Sequence, residues 1–239
     1  MKLPNKSLHP ILPAAKRVSS NVMFQINENR KESGLTNIAL IGFDLDIIDL
    51  IETNPLFNLY GFIDVRDVSK DLNINDVPYL GSDEDWNEIR KNKSSLKLAI
   101  AMDVPKIRKK VYDKYDKTCI VSVESPLSHI SKRASVGKGC IIQHGVKVMP
   151  YSKIGKGCSL NVNSTIHHES ILGDFSILAP GALVLGRAKI GVQVYIGAGA
   201  IIKQNCTIGS NSTIGAGAVV VNDIPQNSVV VGVPANRFL

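Results

Sequence analysis

The chain has 239 residues, more than one typical domain needs, and 44% of them are hydrophobic, as in a globular protein. No window approaches 18 uninterrupted apolar residues and the N-terminus lacks an apolar signal region, so we expect a cytoplasmic protein that spans no membrane. The net charge of +7 comes from 28 basic and 21 acidic residues scattered along the chain. This favours a solvated basic surface over a nucleic-acid site, with attraction for a polyanionic cofactor or sugar nucleotide as the alternative.

Residues 1–35 are rich in Lys, Asn and Ser and show no sustained hydrophobic period. Such a segment buries too little apolar surface to offset the entropy of ordering it. We expect a loosely ordered N-terminal arm and assign it no function.

Residues 36–124 alternate short apolar runs with amphipathic segments. The predicted strands are TNIALIG, LYGFIDV and LKLAIAM, and the predicted helices are FDLDIIDLIETN and VPKIRKKVYDKY. This βαβ order predicts a Rossmann-like domain with a small parallel sheet. A glycine-rich turn after the first strand would bind a phosphate through backbone N–H groups. Here only Gly42 remains of such a turn, and Asp44 and Asp46 are placed to repel an anion.

Residues 125–239 are dominated by a six-residue repeat. Every sixth residue from Ile130 to Val220 is Ile, Leu or Val, without exception. The side chain two positions earlier is mostly small, and Gly recurs one position later, as at Gly137 and Gly155. We expect these glycines to adopt left-handed corner conformations. The pattern predicts a three-sided prism with 18 residues in each coil, whose inward aliphatic residues stack about 4.8 Å apart.

Three of the four cysteines, Cys140, Cys158 and Cys206, occupy the small inward position of the repeat. We interpret them as reduced core residues and not as metal ligands or nucleophiles. Cys140 and Cys158 lie one coil apart, but a disulfide between them is not expected in a cytoplasmic protein.

Residues 130–221 resemble the hexapeptide-repeat transferases, whose fold is a left-handed parallel β-helix, and the ending DIPQNSVVVGVPANRFL is similar to that family's closing segment. Upstream, GFIDV, VPYLGSDEDW and KIRKKVYDK resemble the sialic acid O-acetyltransferase and bacillosamine-type N-acetyltransferase group of bacterial sugar acetyltransferases. The resemblance implies that Gly42 and Asp64 contact the acceptor. The family's G-x-x-G-x-G and A-I-G-N or A-I-G-D loops are replaced by GFDLD and AIAMD here.

Two histidines and a glutamate interrupt the repeat in NVNSTIHHES, residues 161–170. His168 is two residues past the inward Ile166, which places it at a corner of the prism, where its side chain is free to face a cleft. Acyl transfer to an amine or hydroxyl needs a base that titrates near neutral pH, and an adjacent carboxylate such as Glu169 strengthens a histidine base. In the family that this segment resembles, N-x-x-S-x-I-x-H-[DE] contains the catalytic base and its supporting acid, which implies those roles for His168 and Glu169.

Gly186 lies one coil after His168 on the same edge and is out of phase with the recurring corner glycines. Its backbone N–H is expected to stabilise the oxyanion that develops on a thioester carbonyl. The resemblance implies that the corresponding Gly contacts acetyl-CoA. It also implies cofactor contacts for Ile177, which replaces a His common in one branch of the family, and for Ala198 and Ala216.

The sequence therefore predicts an acetyl-CoA-dependent enzyme that acetylates the amino group of a nucleotide-linked amino sugar in bacterial surface-glycan biosynthesis. The alternatives are an O-acetyltransferase acting on sialic acid or a related sugar hydroxyl, and a binding module without catalysis. A metal site like that of the trimeric carbonic anhydrases needs three histidines on facing edges. His144 and His168 are 24 residues apart, hence on different edges of one chain, so we expect no metal. His9, His129 and His144 lack an acidic neighbour in the sequence and are interpreted as surface residues.

A corner of a prism is convex, whereas ligand sites are usually concave. His168 and Gly186 therefore need a second wall to enclose a thioester and an acceptor. Three prisms around a threefold axis would supply three equivalent clefts, and the family that the chain resembles is trimeric. We expect a homotrimer with its sites at the subunit boundaries.

Overall fold

The computed structural model describes residues 34–64 and 73–238. The predicted N-terminal arm lies outside the described residues, apart from its last two. No helix within the described ranges is long and apolar enough to cross a membrane.

The N-terminal domain is a five-stranded sheet flanked by helices. Its elements are β1 (Thr36–Ile41), α1 (Leu45–Glu52), β2 (Phe57–Asp64), β3 (Asn73–Ile74), β4 (Val77–Ser82), α2 (Trp86–Asn92), β5 (Lys97–Ile100) and α3 (Pro105–Lys114). The strand order is β3-β4-β2-β1-β5, and every pairing is parallel except β3 with β4. The predicted Rossmann-like parallel sheet is confirmed.

The hairpin of β3 and β4 was not predicted from the sequence. Ile74 pairs with Val77, so the turn consists of Asn75 and Asp76, with φ values of 49° and 65°. Two left-handed residues in a two-residue loop match the twist of antiparallel strands, and Asn and Asp tolerate that conformation. The Asn-Asp pair between apolar residues was the available sequence signal.

Helix α1 begins at its own acidic cap. Asp44 Oδ1 accepts hydrogen bonds from Asp46 N at 2.9 Å and from Ile47 N at 3.2 Å, which satisfies two of the free N–H groups of the first turn. Ile47 and Ile51 are buried against the sheet core, which contains Leu40. The phosphate-binding position at this helix terminus is therefore occupied by the chain's own carboxylate.

The C-terminal domain is a prism whose faces are stacks of short parallel strands. Face one contains β7 (His129–Ile130), β10 (Lys147–Val148), β13 (Thr165–Ile166), β16 (Leu183–Val184), β19 (Ile201–Ile202) and β22 (Val219–Val220). Face two contains β8 (Ser135–Val136), β11 (Lys153–Ile154), β14 (Ile171–Leu172), β17 (Lys189–Ile190) and β20 (Thr207–Ile208). Face three contains β6 (Val123–Glu124), β9 (Ile141–Ile142), β12 (Ser159–Leu160), β15 (Ile177–Leu178), β18 (Tyr195–Ile196), β21 (Thr213–Ile214), β23 (Val229–Val231) and β24 (Asn236–Phe238).

The register confirms the repeat. Thr165 pairs with Lys147 below it and with Leu183 above it, 18 residues away in each direction. The inward aliphatic residues form one continuous core, in which Leu160, Leu178 and Ile196 are fully buried. The prism begins with β6, two residues before the predicted boundary at 125, and ends with β24 antiparallel to β23.

The predicted backbone conformation of the recurring glycines is wrong. Gly137 and Gly155 are absent from the residues with positive φ, and the left-handed positions lie two residues later, as at Gly139 and Gly157. Position 137 requires a glycine for another reason, since an added Cβ would lie 2.5 Å from Lys156 N of the next coil. On the edge between faces two and three, successive coils approach so closely that no side chain fits at these glycines.

Arg108 of α3 joins the two domains and was missed in the sequence. Its side chain is fully buried, and its hydrogen bonds to described residues all go to backbone carbonyls, namely those of Ile100, Met102, Gly139, Gly157 and Cys158. Burial lowers the pKa of its guanidinium, which nevertheless stays protonated because its ordinary value is so high. Arg108 thus ties the end of β5 to the first coils of the prism.

Candidate active site

His168 lies on the edge between faces one and two, called here the His168 edge and made of residues 149–152, 167–170, 185–188 and 203–206. The backbone of this corner is held by its neighbours, since Glu169 N donates to Pro150 O and Arg187 N donates to His168 O, both at 3.0 Å. Glu169 has a φ of 59°, and this left-handed turn directs its side chain back towards the preceding histidine. The side chain of His168 remains 41% exposed, so the ring is accessible to a ligand.

Three neighbours fix the imidazole of His168. Its Nδ1 lies 2.9 Å from Glu169 Oε2, and its ring contacts that of His167 edge to face, with 5.0 Å between the centroids. On the Gly186 side, an added Cβ would lie 2.8 Å from both Cε1 and Nε2. When the N–H group at Nδ1 donates a hydrogen bond to the carboxylate, Nε2 carries the free lone pair and is the atom that can accept a proton.

Glu169 is ionised next to this histidine. Its pKa is lowered by the hydrogen bond with His168 and also by the positive charge of Arg187. Because the carboxylate is 51% exposed, water and salt weaken both effects. The arrangement provides a base whose positively charged form is stabilised by an adjacent negative charge.

Gly186 contributes backbone and not a side chain. Within the described parts of the chain, no acceptor bonds to its N–H group, whereas the N–H of the following Arg187 is used between coils. A free N–H next to an imidazole base can donate to a developing oxyanion. The prediction that Gly186 lies beside His168 is therefore supported by the geometry.

Comparisons with known proteins support the fold. Residues 187–222 match the family "bacterial transferase hexapeptide (six repeats)". The structure is similar to the acetyltransferase domain of PglB from Neisseria gonorrhoeae FA1090 in complex with acetyl coenzyme A, with 26% identity, a TM-score of 0.76, and coverage of 86% of this chain and 100% of that one. It is also similar to PerB from Caulobacter crescentus in complex with CoA and GDP-perosamine, with 25% identity, a TM-score of 0.76, and coverage of 85% and 97%.

A third structure, WeeI from Acinetobacter baumannii AYE, has 26% identity, a TM-score of 0.75, and coverage of 84% of this chain and 99% of that chain. The chain has the hexapeptide-repeat fold of these proteins. The resemblance to bacterial sugar acetyltransferases and the predicted left-handed β-helix are thereby confirmed. A search of curated protein sequences found no match.

The other predicted cofactor residues of the prism do not lie on the His168 edge. Ala198 and Ala216 are exposed on the edge between faces three and one, called here the Ala198 edge and made of residues 143–146, 161–164, 179–182, 197–200 and 215–218. Ala198 follows His168 by 30 residues, which is not a whole number of 18-residue coils, so one chain does not bring them together. Ile177 is fully buried on face three, and its side chain offers a ligand no surface in the single chain.

Gly42 and Asp64, the predicted acceptor residues, end neighbouring parallel strands on the same edge of the sheet. Gly42 N donates to Ile63 O at 2.8 Å, and an added Cβ at Gly42 would lie 2.5 Å from Met102 Cε. The crevice outside the carboxyl ends of β1 and β5 is the usual ligand position in such sheets, because the strand order reverses there. The two residues stay predictions for acceptor binding.

Carboxylates surround this crevice. Asp103 follows β5 and reaches solvent, yet the protein packed around its carboxyl raises the pKa of Asp103. Asp44 and Asp46 raise that pKa further by their negative charges, while Arg108 acts in the opposite direction. A phosphate placed here would meet negative charge at the turn where related sheets offer glycine backbone.

His144, interpreted from the sequence as a surface residue, has an acidic neighbour in space that the sequence did not show. Its Nδ1 lies 2.5 Å from Ser125 Oγ, and its Nε2 lies 3.5 Å from Asp49 Oδ2 of α1. Asp49 is distant in sequence, so only the packing of α1 against the first coils shows this contact. Ser125, His144 and Asp49 therefore form a line of contacts across the domain junction, and its serine is buried.

Proposed function

We propose that the chain is an acetyl-CoA-dependent acetyltransferase that acts on the amino group of a nucleotide-linked amino sugar in bacterial surface-glycan biosynthesis. The observation that carries the proposal is the group formed by His168, Glu169 and the backbone of Gly186. PglB, which has the same fold, binds acetyl coenzyme A, and PerB binds CoA together with GDP-perosamine, a nucleotide-linked amino sugar. We also propose a cytoplasmic location, since acetyl-CoA is available there.

His168, Glu169 and Gly186 support direct transfer of the acetyl group from the thioester to the acceptor amine. The acceptor amine attacks the thioester carbonyl while His168 Nε2 takes up a proton from the nitrogen. Glu169 stabilises the imidazolium, and the N–H of Gly186 donates to the oxyanion of the tetrahedral intermediate. When the C–S bond breaks, the imidazolium returns the proton to the departing thiolate, which leaves an amide and free CoA.

The test is acetyl transfer by the purified chain. Nucleotide-linked 4-amino sugars, free sialic acid and CMP-linked sialic acid are incubated with acetyl-CoA, thiol release is followed, and products are analysed by mass spectrometry. We expect an N-acetylated sugar nucleotide and a loss of at least about 100-fold in kcat in His168→Gln with acetyl-CoA affinity retained, because loss of a general base costs about 10²–10⁴. Equal turnover in that variant would refute the role of His168. Acetylation of sialic acid alone would favour the O-acetyltransferase alternative, and no transfer to any acceptor would favour a binding module.

We propose further that the active unit is a homotrimer. His168 and Ala198 lie on the two edges that border face one, so neighbouring prisms have to meet for these edges to form one cleft. The outward side chains of face one include Leu183, Ile201 and Val219, which are apolar and only partly buried, as expected for a subunit contact.

Mixed trimers test this assembly. Chains with His168→Ala are combined with chains carrying Ala198→Trp, each of which is expected to be inactive alone. Because a cleft takes His168 from one chain and Ala198 from the next, part of the clefts in mixed trimers contain neither substitution, and activity should partly return. A fully active monomer in light scattering, or no recovery in verified mixed trimers, would refute the shared site.

A further inference from the structure

Three of the four left-handed positions of the His168 edge are occupied by residues with long side chains. Tyr151, Glu169 and Arg187 have φ values of 63°, 59° and 59° on three successive coils, and Asn205 follows on the next coil with 64°. On the Ala198 edge the equivalent positions are all Gly or Asn, namely Gly145, Asn163, Gly181, Gly199 and Gly217. A residue with a long side chain is strained in this backbone conformation, whereas Gly and Asn tolerate it. Strain of this kind concentrates at functional sites, which directs attention to the side chains of this edge.

Arg187 is held from both sides along this edge. Its Nη1 atom lies 3.4 Å from Glu169 Oε2, and its Nε donates to Asn205 Oδ1 at 3.0 Å. The oxygen that Arg187 contacts is the same Oε2 atom that contacts His168 Nδ1 at 2.9 Å. One carboxylate oxygen therefore connects the histidine with an arginine on the following coil.

The charges on this edge act on His168 in opposite directions. His167 and Glu169 contact it on its own coil, and Arg187 on the following coil contacts Glu169. Tyr151 has the equivalent position to Glu169 on the preceding coil, where it contacts Arg133. The negative charge of Glu169 favours the imidazolium, and the positive charge of Arg187 opposes it. A base has to be unprotonated before it can accept a proton from the acceptor, so an uncompensated carboxylate would reduce the active fraction at acidic and neutral pH.

We propose that Arg187 is a positioning residue of the active site, which holds the Glu169 carboxylate beside His168 and balances its negative charge. The role of Arg187 in catalysis rests on the proposed function. The contact between Arg187 and Glu169 does not depend on that function. The Arg187 side chain is 54% exposed, so the effect is moderate and decreases as salt is added.

The test compares pH profiles of kcat/KM at low ionic strength. Arg187→Asn suits the left-handed backbone and removes the charge, whereas Arg187→Lys keeps the charge. In Arg187→Asn we expect the acid limb of the profile to move to higher pH by about half a unit, because a cation near the imidazolium is lost. Arg187→Lys should restore the wild-type acid limb.

Gln193→Asn is the matched control. Gln193 is also left-handed, with a φ of 56°, but lies on the edge between faces two and three. The substitution relieves the same backbone strain without changing a charge near His168. We expect its pH profile to coincide with that of the wild type. A shift in Gln193→Asn equal to that in Arg187→Asn would overturn the proposal, because backbone relief would then explain both.

A second measurement separates this proposal from the proposed function. The chain has five histidines, so the ring signals of His168 can be assigned in an NMR titration by their loss in His168→Gln. We expect these signals to titrate at higher pH in Arg187→Asn than in the wild type, whether or not the chain acetylates a sugar. Unchanged titration, or an acid limb that stays in place, overturns the role of Arg187. Absence of acetyl transfer by the wild-type chain refutes only the proposed function.

Discussion

The backbone of Gly186 lies directly against the imidazole of His168, so that a single added methyl group would be 2.8 Å from the ring nitrogen Nε2. This contact joins two successive coils, since the residues are 18 positions apart. The methyl group of an alanine at 186 would crowd this nitrogen, which under the proposed function takes up the proton of the acceptor.

Gly186→Ala should fold but transfer acetyl groups poorly. The methyl group forces the imidazole away from its position, and a displacement of about 1 Å at a reacting group costs up to about 100-fold in rate. Steady-state kinetics should show kcat reduced by about 10- to 100-fold. Gly181→Ala is the control, because an added Cβ there meets nothing closer than 4.0 Å. It should cost some stability, owing to its left-handed backbone, while its turnover stays close to normal. Normal kcat in Gly186→Ala would contradict the predicted role of this contact.

Glu169→Gln should shift the pH dependence in the direction opposite to Arg187→Asn. The amide still accepts a hydrogen bond from His168 Nδ1 but no longer stabilises the imidazolium by charge, so the ring remains neutral at lower pH. We expect the acid limb of kcat/KM to move downward by about half a unit and kcat to fall by about 10-fold, less than in His168→Gln. Glu169→Asp keeps the charge and serves as the control. An acid limb that moves upward in Glu169→Gln would show that the carboxylate does not act on the base in this way.

Arg108→Met should weaken the junction between the domains. Methionine has a similar length but no donor, so the five backbone carbonyls lose the hydrogen bonds that Arg108 donates, although Cys158 O still accepts one from Ile141 N. A buried carbonyl left without a donor costs about 1–3 kcal/mol of unfolding free energy, and in a chain of this size each kcal/mol corresponds to a decrease in Tm of about 2–4 °C. Thermal unfolding followed by circular dichroism measures it.

Arg90→Met is the control for that experiment. Arg90 makes an ion pair with Asp116 at 2.8 Å, but both side chains are exposed. Because exposed ion pairs contribute little, its Tm should change far less than that of Arg108→Met. Equal changes in the two variants would contradict a special role for Arg108 at the junction.

Asp103→Asn should stabilise the protein at neutral pH. The pKa of Asp103 is raised in the folded chain, so the fold disfavours its charged form, and the destabilisation is complete above the folded pKa. As pH falls through that value towards the unfolded value of about 4, the carboxyl becomes protonated in both states and the difference disappears. The gain in Tm over the wild type should therefore be largest at pH 7 and vanish in acid.

For comparison, Asp113→Asn should change the stability at pH 7 in the opposite direction. The hydrogen bond from Lys109 lowers the pKa of Asp113, so its charge contributes stability that is present above the unfolded value and lost as pH falls. This variant should be slightly less stable than the wild type at pH 7 and equal to it in acid. If both variants changed Tm in the same direction at pH 7, the charge environment assigned to Asp103 would be incorrect.

The sequence by itself determined the architecture of the prism. An aliphatic residue every six positions can be buried only if the chain turns at the same interval, so the strands, the coil length and the inward core followed from the repeat. The same counting placed Gly186 on the coil after His168. The βαβ order of the N-terminal domain was similarly visible, because alternating strand and helix periods leave few topologies.

Only the tertiary structure decided the contacts between segments without a shared period. Arg108 resembled any other basic residue of a helix until its carbonyl partners on the first coils were seen. Asp49 and His144 are nearly a hundred residues apart, and no repeat connects them. The recurring glycines were recognised from the sequence for the wrong reason, since the close approach of the next coil, and not a left-handed backbone, excludes a side chain at Gly137. Periodicity specifies neighbours that repeat, whereas contacts between unlike elements depend on how whole surfaces pack.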